Sequence, residues 1–387
     1  MAAHKPVKPV DPTPWIPLLA EYRLTSMALD TVLEGTLRPG LTAASPEVVQ
    51  ALADWPAPAY LQHEDGATHV VLVYQSRTEG RRLPWIHAAL FAATIITTLG
   101  AGALMAGFDP FNMRILQLGE VGIPYPSGID WAELVLGASF AFPFLGVLLA
   151  HEMGHYVAAR VHRVRASLPY FIPFPPYFSI IGTVGAFIRL KGPTVRRAIL
   201  FDVGSSGPIA SFLVSVPLLA IGFTLSTQVP GRATLASPFV IEFLGDRVLL
   251  GNGLATHVMA TLFAPGVVGE TLIQLHPLAL VGWLGLFVTA LNLLPLGQLD
   301  GGHILYAIAP YHHQRAARAF FFCLIPLGAI WWGWWAWAVL VLLVNRGRVE
   351  HPTVIQRQEG IGSFRRILGW ALIAIFFLTL VPVPLHI

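Results

Sequence analysis

Charge is what this chain has least of. Only 12% of its 387 residues are Asp, Glu, Lys or Arg, against about a quarter in an ordinary soluble domain. With 55% hydrophobic residues, that scarcity excludes a disordered chain. The 24 basic and 21 acidic residues leave a formal net charge of +3. The bases sit in short clusters beside apolar runs, not in one stripe, which argues against a nucleic-acid platform. A single cysteine, Cys323, excludes a disulfide framework and a thiolate metal cluster. Neither a Gly-rich phosphate loop nor a long internal repeat is present.

Apolar sequence fills the space that charge leaves. Eight runs of 18 or more residues contain no Asp, Glu, Lys or Arg: 83–108, 134–151, 166–188, 203–231, 248–269, 271–299, 319–345 and 367–387. A spanning helix needs roughly 20 apolar residues. Run 166–188 holds Pro169, Pro173, Pro175 and Pro176, too many for one helix. Run 248–269 is broken by Gly251, Asn252, Gly253 and Ala264-Pro265-Gly266, and reads as a peripheral segment. The expected fold is an all-α polytopic membrane protein of about six to seven transmembrane helices, with a membrane-associated β-hairpin or re-entrant segment at 166–190. Within 319–345 the chain is expected to turn tightly near Gly328 to Gly333.

Lys/Arg asymmetry sets the orientation. Arg77, Arg81 and Arg82 precede the first span and place residues 1–82 in the cytoplasm as a separate polar region, with a loose Pro-rich start (Pro6 to Pro17) and a strand at 69–75. The membrane unit is 83–387, with an extracytoplasmic insert at 229–270. The absence of an Arg/Ser-rich transit segment favours a prokaryotic plasma membrane over a plastid.

Chemistry concentrates at His151-Glu152-Met153-Gly154-His155, at the end of an apolar helix. Positions i and i+4 share a helix face, so both imidazoles can reach one metal. Glu152 lies about 100° round the helix, where it can take a proton from water. Each ionisable group inside a bilayer costs about 2.5–3.5 kcal/mol, and a divalent cation compensates three of them at once. The plainer readings are a helix end meeting interfacial water or a closed zinc site without catalysis. Zinc held by two histidines needs a third protein ligand. Asp300, ending the span from about residue 278, lies at a matching depth. Asp202 is the alternative, although it reads equally as an N-cap before the 203–231 helix. Glu242 and Glu270 fall on the opposite side.

Two stretches carry a family likeness. HEMGH on a membrane helix, with Leu291-Asn292-Leu293-Leu294-Pro295-Leu296-Gly297-Gln298-Leu299-Asp300-Gly301-Gly302 downstream, resembles the site-2 protease family of intramembrane zinc metalloproteases in its chloroplast- and cyanobacterial-type form. Residues 168–190, the helix start Gly204-Ser205-Ser206-Gly207-Pro208 and the final run from Arg365 fit as well. The resemblance implies one Zn²⁺ per chain on His151, His155 and Asp300, with Glu152 as catalytic base. It also implies that Asn292 holds the substrate backbone or an oxyanion, the alternative being a packing hydrogen bond. Leu293 and Leu294 depart from the compact motif, in which Pro follows Asn directly. Gly182, Thr183 and Gly185 match the family's strand pair beside the site, whose edge can take an extended substrate; the alternative is a packed re-entrant hairpin. The implied activity is hydrolysis of peptide bonds within transmembrane segments of single-pass membrane proteins, towards the cytoplasmic side of the lipid bilayer and without nucleic acid. A metal-dependent transporter or an inactive scaffold reusing the fold is the alternative. His312 and His313 are expected on a solvated face, and the Trp331 to Trp337 cluster at an interface.

Overall fold

The computed structural model describes residues 10–27, 30–57, 59–64, 66–75, 84–118, 121–190, 196–264, 271–345, 347, 349 and 360–386. Arg77, Arg81, Arg82, Glu270, Pro6 and Pro9 lie outside them.

An antiparallel four-stranded sheet begins the chain: β1 (Leu19–Met27), β2 (Asp30–Leu37), β3 (Ala59–Glu64) and β4 (Ala67–Gln75), in the order β1-β2-β4-β3, with α1 (Pro46–Asp54) between β2 and β3. Alternation in β4 turns Val70 and Leu72 inward, where both are fully buried with Leu33 and Val48. Trp55 meets Trp15 and Tyr74 edge-on, with ring centroids 6.4 and 5.6 Å apart. Trp15 belongs to a 3-10 helix over Thr13–Leu18. The described part of the Pro-rich start is therefore not a loose arm, because its tryptophan anchors it to this core.

Next come α2 (Pro84–Met105), the hairpin β5 (Met113–Leu118) and β6 (Val121–Pro126), the short α3 (Trp131–Leu136) and α4 (Ala138–Val161), which carries HEMGH. Strands β7 (Tyr170–Pro173) and β8 (Thr183–Phe187) pair antiparallel, followed by the 29-residue α5 (Arg197–Leu225). A five-stranded sheet is then assembled from β9 (Thr227–Pro230), β10 (Phe239–Phe243), β11 (Asp246–Leu250) and β12 (Thr271–Gln274), interrupted by α6 (Leu254–Phe263) and completed by the last strand, β13 (Leu385–His386). Its order is β13-β11-β10-β12-β9. Leu244 and Gly245, at φ 55 and 85, make the tight β10–β11 turn. The remaining helices are α7 (Pro277–Asn292), α8 (Asp300–Ile308), α9 (His313–Ile330), α10 (Gly333–Val344) and α11 (Ser363–Thr379).

The α5–α7 contact is close because it is lined with small residues. A Cβ on Gly282 would stand 2.5 Å from the backbone nitrogen of Leu219. One apolar cluster joins α4, α5, α7 and the five-stranded sheet through Phe144, Leu219, Phe239 and Trp283. A second joins α5, α8, α10 and α11 through Phe201, Ile304, Trp334 and Leu372.

The all-α expectation with six to seven spans is overturned. Among the described residues, two helices are long and apolar enough to cross a membrane, Trp85–Met105 and Arg197–Leu225, and strands form four sheets. Absence of charge does not by itself mark a helix. Run 271–299 contains a strand, a 16-residue helix and a loop, and part of run 203–231 is β9. Three further details differ. His313 is fully buried beside Tyr306 rather than solvated. Trp334 is buried, with its indole N–H donating to Pro382 O at 2.7 Å. Asp202 sits inside α5, whose N-cap position is Arg196.

Candidate active site

Helix α4 brings His151 and His155 onto one face, one turn apart, with rings at 75° and centroids 4.7 Å apart. Helix α5 crosses immediately above them. A Cβ on Gly207 would lie 2.2 Å from Nε2 of His155, and one on Gly154 only 2.6 Å from Ser206 O. Glycine at these two positions is what lets the helices close over the imidazoles. Asp300 reaches the same point from the first turn of α8, where the helix dipole favours a carboxylate. The preceding loop is compact: a Cβ on Gly301 would fall 1.9 Å from Leu293 O. Asn345 fastens it by accepting the Gln298 N–H through Oδ1 at 2.9 Å.

Three ligand atoms converge. His151 Nε2 and His155 Nε2 are 3.1 Å apart, and Asp300 Oδ2 is 3.2 Å from the first and 3.3 Å from the second. Zinc bonds of about 2.0–2.1 Å at tetrahedral angles separate their ligand atoms by about 3.3–3.4 Å. The hydrogen bonding of the neutral rings is compatible with a cation. His155 Nδ1 donates to Val203 O at 2.7 Å, and a carbonyl can only accept, so Nε2 of the neutral ring presents a lone pair. Lone pairs and a carboxylate crowded into this buried space repel one another unless a cation joins them. His151, His155 and Asp300 therefore fit a zinc ion.

Around that triangle stand the other expected residues. Glu152 is 6% exposed, and the backbone of Ile188, just past β8, lies beside its carboxylate. Asn292, the last residue of α7, directs Nδ2 at His151 Nε2 from 3.3 Å. Gly182, Thr183 and Gly185 lie on or beside β8. Gly182 (φ 69) packs on Thr97 O, where a Cβ would come within 2.3 Å. The Thr183 hydroxyl donates to Ile172 O at 2.6 Å and accepts the Gly185 N–H at 3.0 Å, holding β8 to β7. Asp202 does not join the triangle. Both its oxygens are occupied by Arg365, Nε at 2.7 Å and Nη2 at 2.8 Å, and His162 Nε2 lies 2.8 Å from Oδ2.

Sequence reasoning missed the outer contacts: Val203 O on His155, Ser211 on His151 and Ile188 on Glu152. These partners lie 48 and 60 residues from their histidines and 36 from the glutamate, so no local pattern marks them.

Comparison with known proteins agrees with this geometry. Residues 139–327, which include HEMGH and Asp300, match Peptidase family M50. The chain is 33% identical over 252 residues to a protein of Arabidopsis thaliana named probable zinc metalloprotease EGY1, chloroplastic, covering 63% of this chain and 42% of that protein. A rice protein of the same name is 30% identical over 242 residues, covering 62% and 40%. The rice probable zinc metalloprotease EGY3, chloroplastic, is 28% identical over 316 residues, covering 77% and 48%. The chain thus spans less than half the length of these relatives. No solved structure matches. The expected prokaryotic plasma membrane is corrected by these relatives, which are chloroplastic plant proteins. Residues 139–327 thus match Peptidase family M50, and the chain is similar to proteins named as probable zinc metalloproteases.

Proposed function

We propose that this chain is a zinc metalloendopeptidase that cuts single-pass membrane proteins within their transmembrane segments, with its catalytic unit in residues 83–387. The observation that carries this reading is the three-atom triangle of His151, His155 and Asp300 beside a buried Glu152. The chemistry that zinc supplies at such a site is Lewis-acid polarisation of water and of a peptide carbonyl.

Glu152 is the base. Its carboxylate takes a proton from the attacking water, whose oxygen bonds to the carbonyl carbon. As the C–N bond breaks, the same group returns the proton to the departing amine. Asn292 has its amide N–H directed into the site and donates to the oxygen on which negative charge develops. The substrate is held extended, because a helix keeps its carbonyls in internal hydrogen bonds. β8 is a suitable partner: it pairs with β7 along one edge, and among the described residues no strand lies on the other. An added strand there runs beside Ile188 and therefore beside Glu152. Membrane placement is supported by α2 and α5. Only 39% and 33% of their apolar windows are buried inside the protein, which leaves surface suited to lipid.

The test is incubation of tagged single-pass membrane proteins with the purified chain in detergent, comparing wild type with Glu152→Gln. Cleavage is expected from the wild type alone, at a rate roughly 10²–10⁴-fold above the variant, with equal zinc in both. Equal cutting by the two would remove Glu152 from the mechanism.

A further inference from the structure

The two histidines of the triangle are held by different kinds of partner. His155 Nδ1 faces a backbone carbonyl, Val203 O, which can only accept and so admits one tautomer. His151 Nδ1 faces the Ser211 hydroxyl at 3.1 Å, and a hydroxyl can donate as well as accept. If Ser211 donated to Nδ1, the neutral ring would carry its proton on Nε2, pointing into the triangle with no lone pair for a metal. The protein removes that option one residue further out. Ser211 Oγ is 2.9 Å from Thr289 Oγ1, and the Thr289 hydroxyl donates to Gly285 O at 2.7 Å. With its hydrogen committed to that carbonyl, Thr289 offers an oxygen and accepts the Ser211 hydrogen. Gly207 O and Pro208 O, both 3.2 Å from Ser211 Oγ, are weaker outlets of the same polarity. Each acceptor around Ser211 thus draws its hydrogen away from His151, leaving its oxygen to receive the Nδ1 proton. Ser211 is 2% exposed and Thr289 is fully buried, so water does not compete at either hydroxyl.

We infer that Ser211 and Thr289 are positioning residues for the metal: the one-way chain from His151 Nδ1 through Ser211 Oγ and Thr289 Oγ1 to Gly285 O fixes the His151 tautomer that turns its Nε2 lone pair towards zinc. The inference rests on the zinc reading above. It also assigns a purpose to two hydroxyls that helix packing alone would not require, since alanine and valine would fill the same volumes.

The experiment measures zinc affinity of the full-length protein by chelator competition, together with the visible spectrum of the Co²⁺-substituted form. Loss of a partner that orients a ligating histidine costs about 10–100-fold in metal affinity. That loss is expected for Ser211→Ala, with an altered Co²⁺ spectrum. Thr289→Val leaves Ser211 its weaker outlets and should lose several-fold, while Thr289→Ser restores wild-type affinity. Should Ser211→Ala fail to fold, the Val and Ser variants of Thr289 decide the matter between them. A purely structural role would change thermal unfolding but not the Co²⁺ spectrum. Wild-type affinity and spectrum in both Ser211→Ala and Thr289→Val would overturn the inference while leaving the zinc site standing. A wild-type protein that takes up neither metal would overturn the zinc reading, and this inference with it.

Discussion

Two aspartate–histidine clusters lie close together along α4 and α5, and they have opposite fates. Asp202 meets His162 and the fork of Arg365, which occupies both carboxylate oxygens at 2.7 and 2.8 Å. Asp300 meets His151 and His155, with imidazole nitrogens at 3.2 and 3.3 Å. The residue types are alike, and so is the carboxylate. The difference is the guanidinium. At Asp202 the charge is already neutralised by a permanent cation, so the cluster is closed and ties α11 to α5. At Asp300 the partners are imidazoles, which carry no charge when neutral, so the cluster has room for one cation. The same comparison explains why sequence alone held both aspartates as candidate third ligands. Spacing favours Asp300 without excluding Asp202, and the cation that closes Asp202, Arg365, lies 163 residues from it.

The largest effect should come from closing the open cluster by steric means. Gly207→Ala puts a methyl 2.2 Å from the metal-facing nitrogen of His155. Zinc content and cleavage should both fall to background while the protein still folds, which metal analysis and circular dichroism would check. Opening the closed cluster should do much less. Arg365→Gln removes the cation from Asp202 and should lower stability by about 1–2 kcal/mol, read as a shift in denaturation midpoint. Zinc content should stay at the wild-type level, and a rise or fall in zinc would blur the distinction drawn between the clusters.

Smallest of all is the effect expected at Glu34 in the N-terminal sheet. Burial raises its pKa, and the charge of Arg23 only partly offsets this. The folded state therefore binds this proton more tightly than the unfolded chain does. Its contribution favours folding at low pH and is lost as pH rises through the raised pKa. Glu34→Gln should flatten that pH dependence and change stability near neutrality by less than about 1 kcal/mol. A steeper pH dependence in the variant would show that another group governs this sheet.

How much of this could be read in the sequence depended on the range of the interaction. His151, Glu152 and His155 are a one-turn pattern, and helical periodicity brings the two imidazoles together without tertiary information. Asp300 is reached in sequence through an expected span from about residue 278, where the structure has a 16-residue helix and a loop, and through the family motif around Asn292. The sheets were lost because a buried strand and a buried helix are equally free of charge. Residues 239–243 and 271–274 pair in parallel through a partner register that no local signal announces. His313 was misplaced for a related reason: two adjacent histidines near arginines look solvated, yet α9 turns one of them under Tyr306. The hydroxyls and carbonyls that orient the metal-facing rings lie dozens of residues from the histidines and are ordinary helix residues in composition.

The most direct test of the account is zinc stoichiometry, measured on purified wild type, Asp300→Ala and Asp202→Ala under metal-retaining conditions. One zinc per chain is predicted for the wild type and for Asp202→Ala, and none for Asp300→Ala. Zinc retained in Asp300→Ala but lost from Asp202→Ala would contradict it, placing the metal at the cluster that Arg365 occupies.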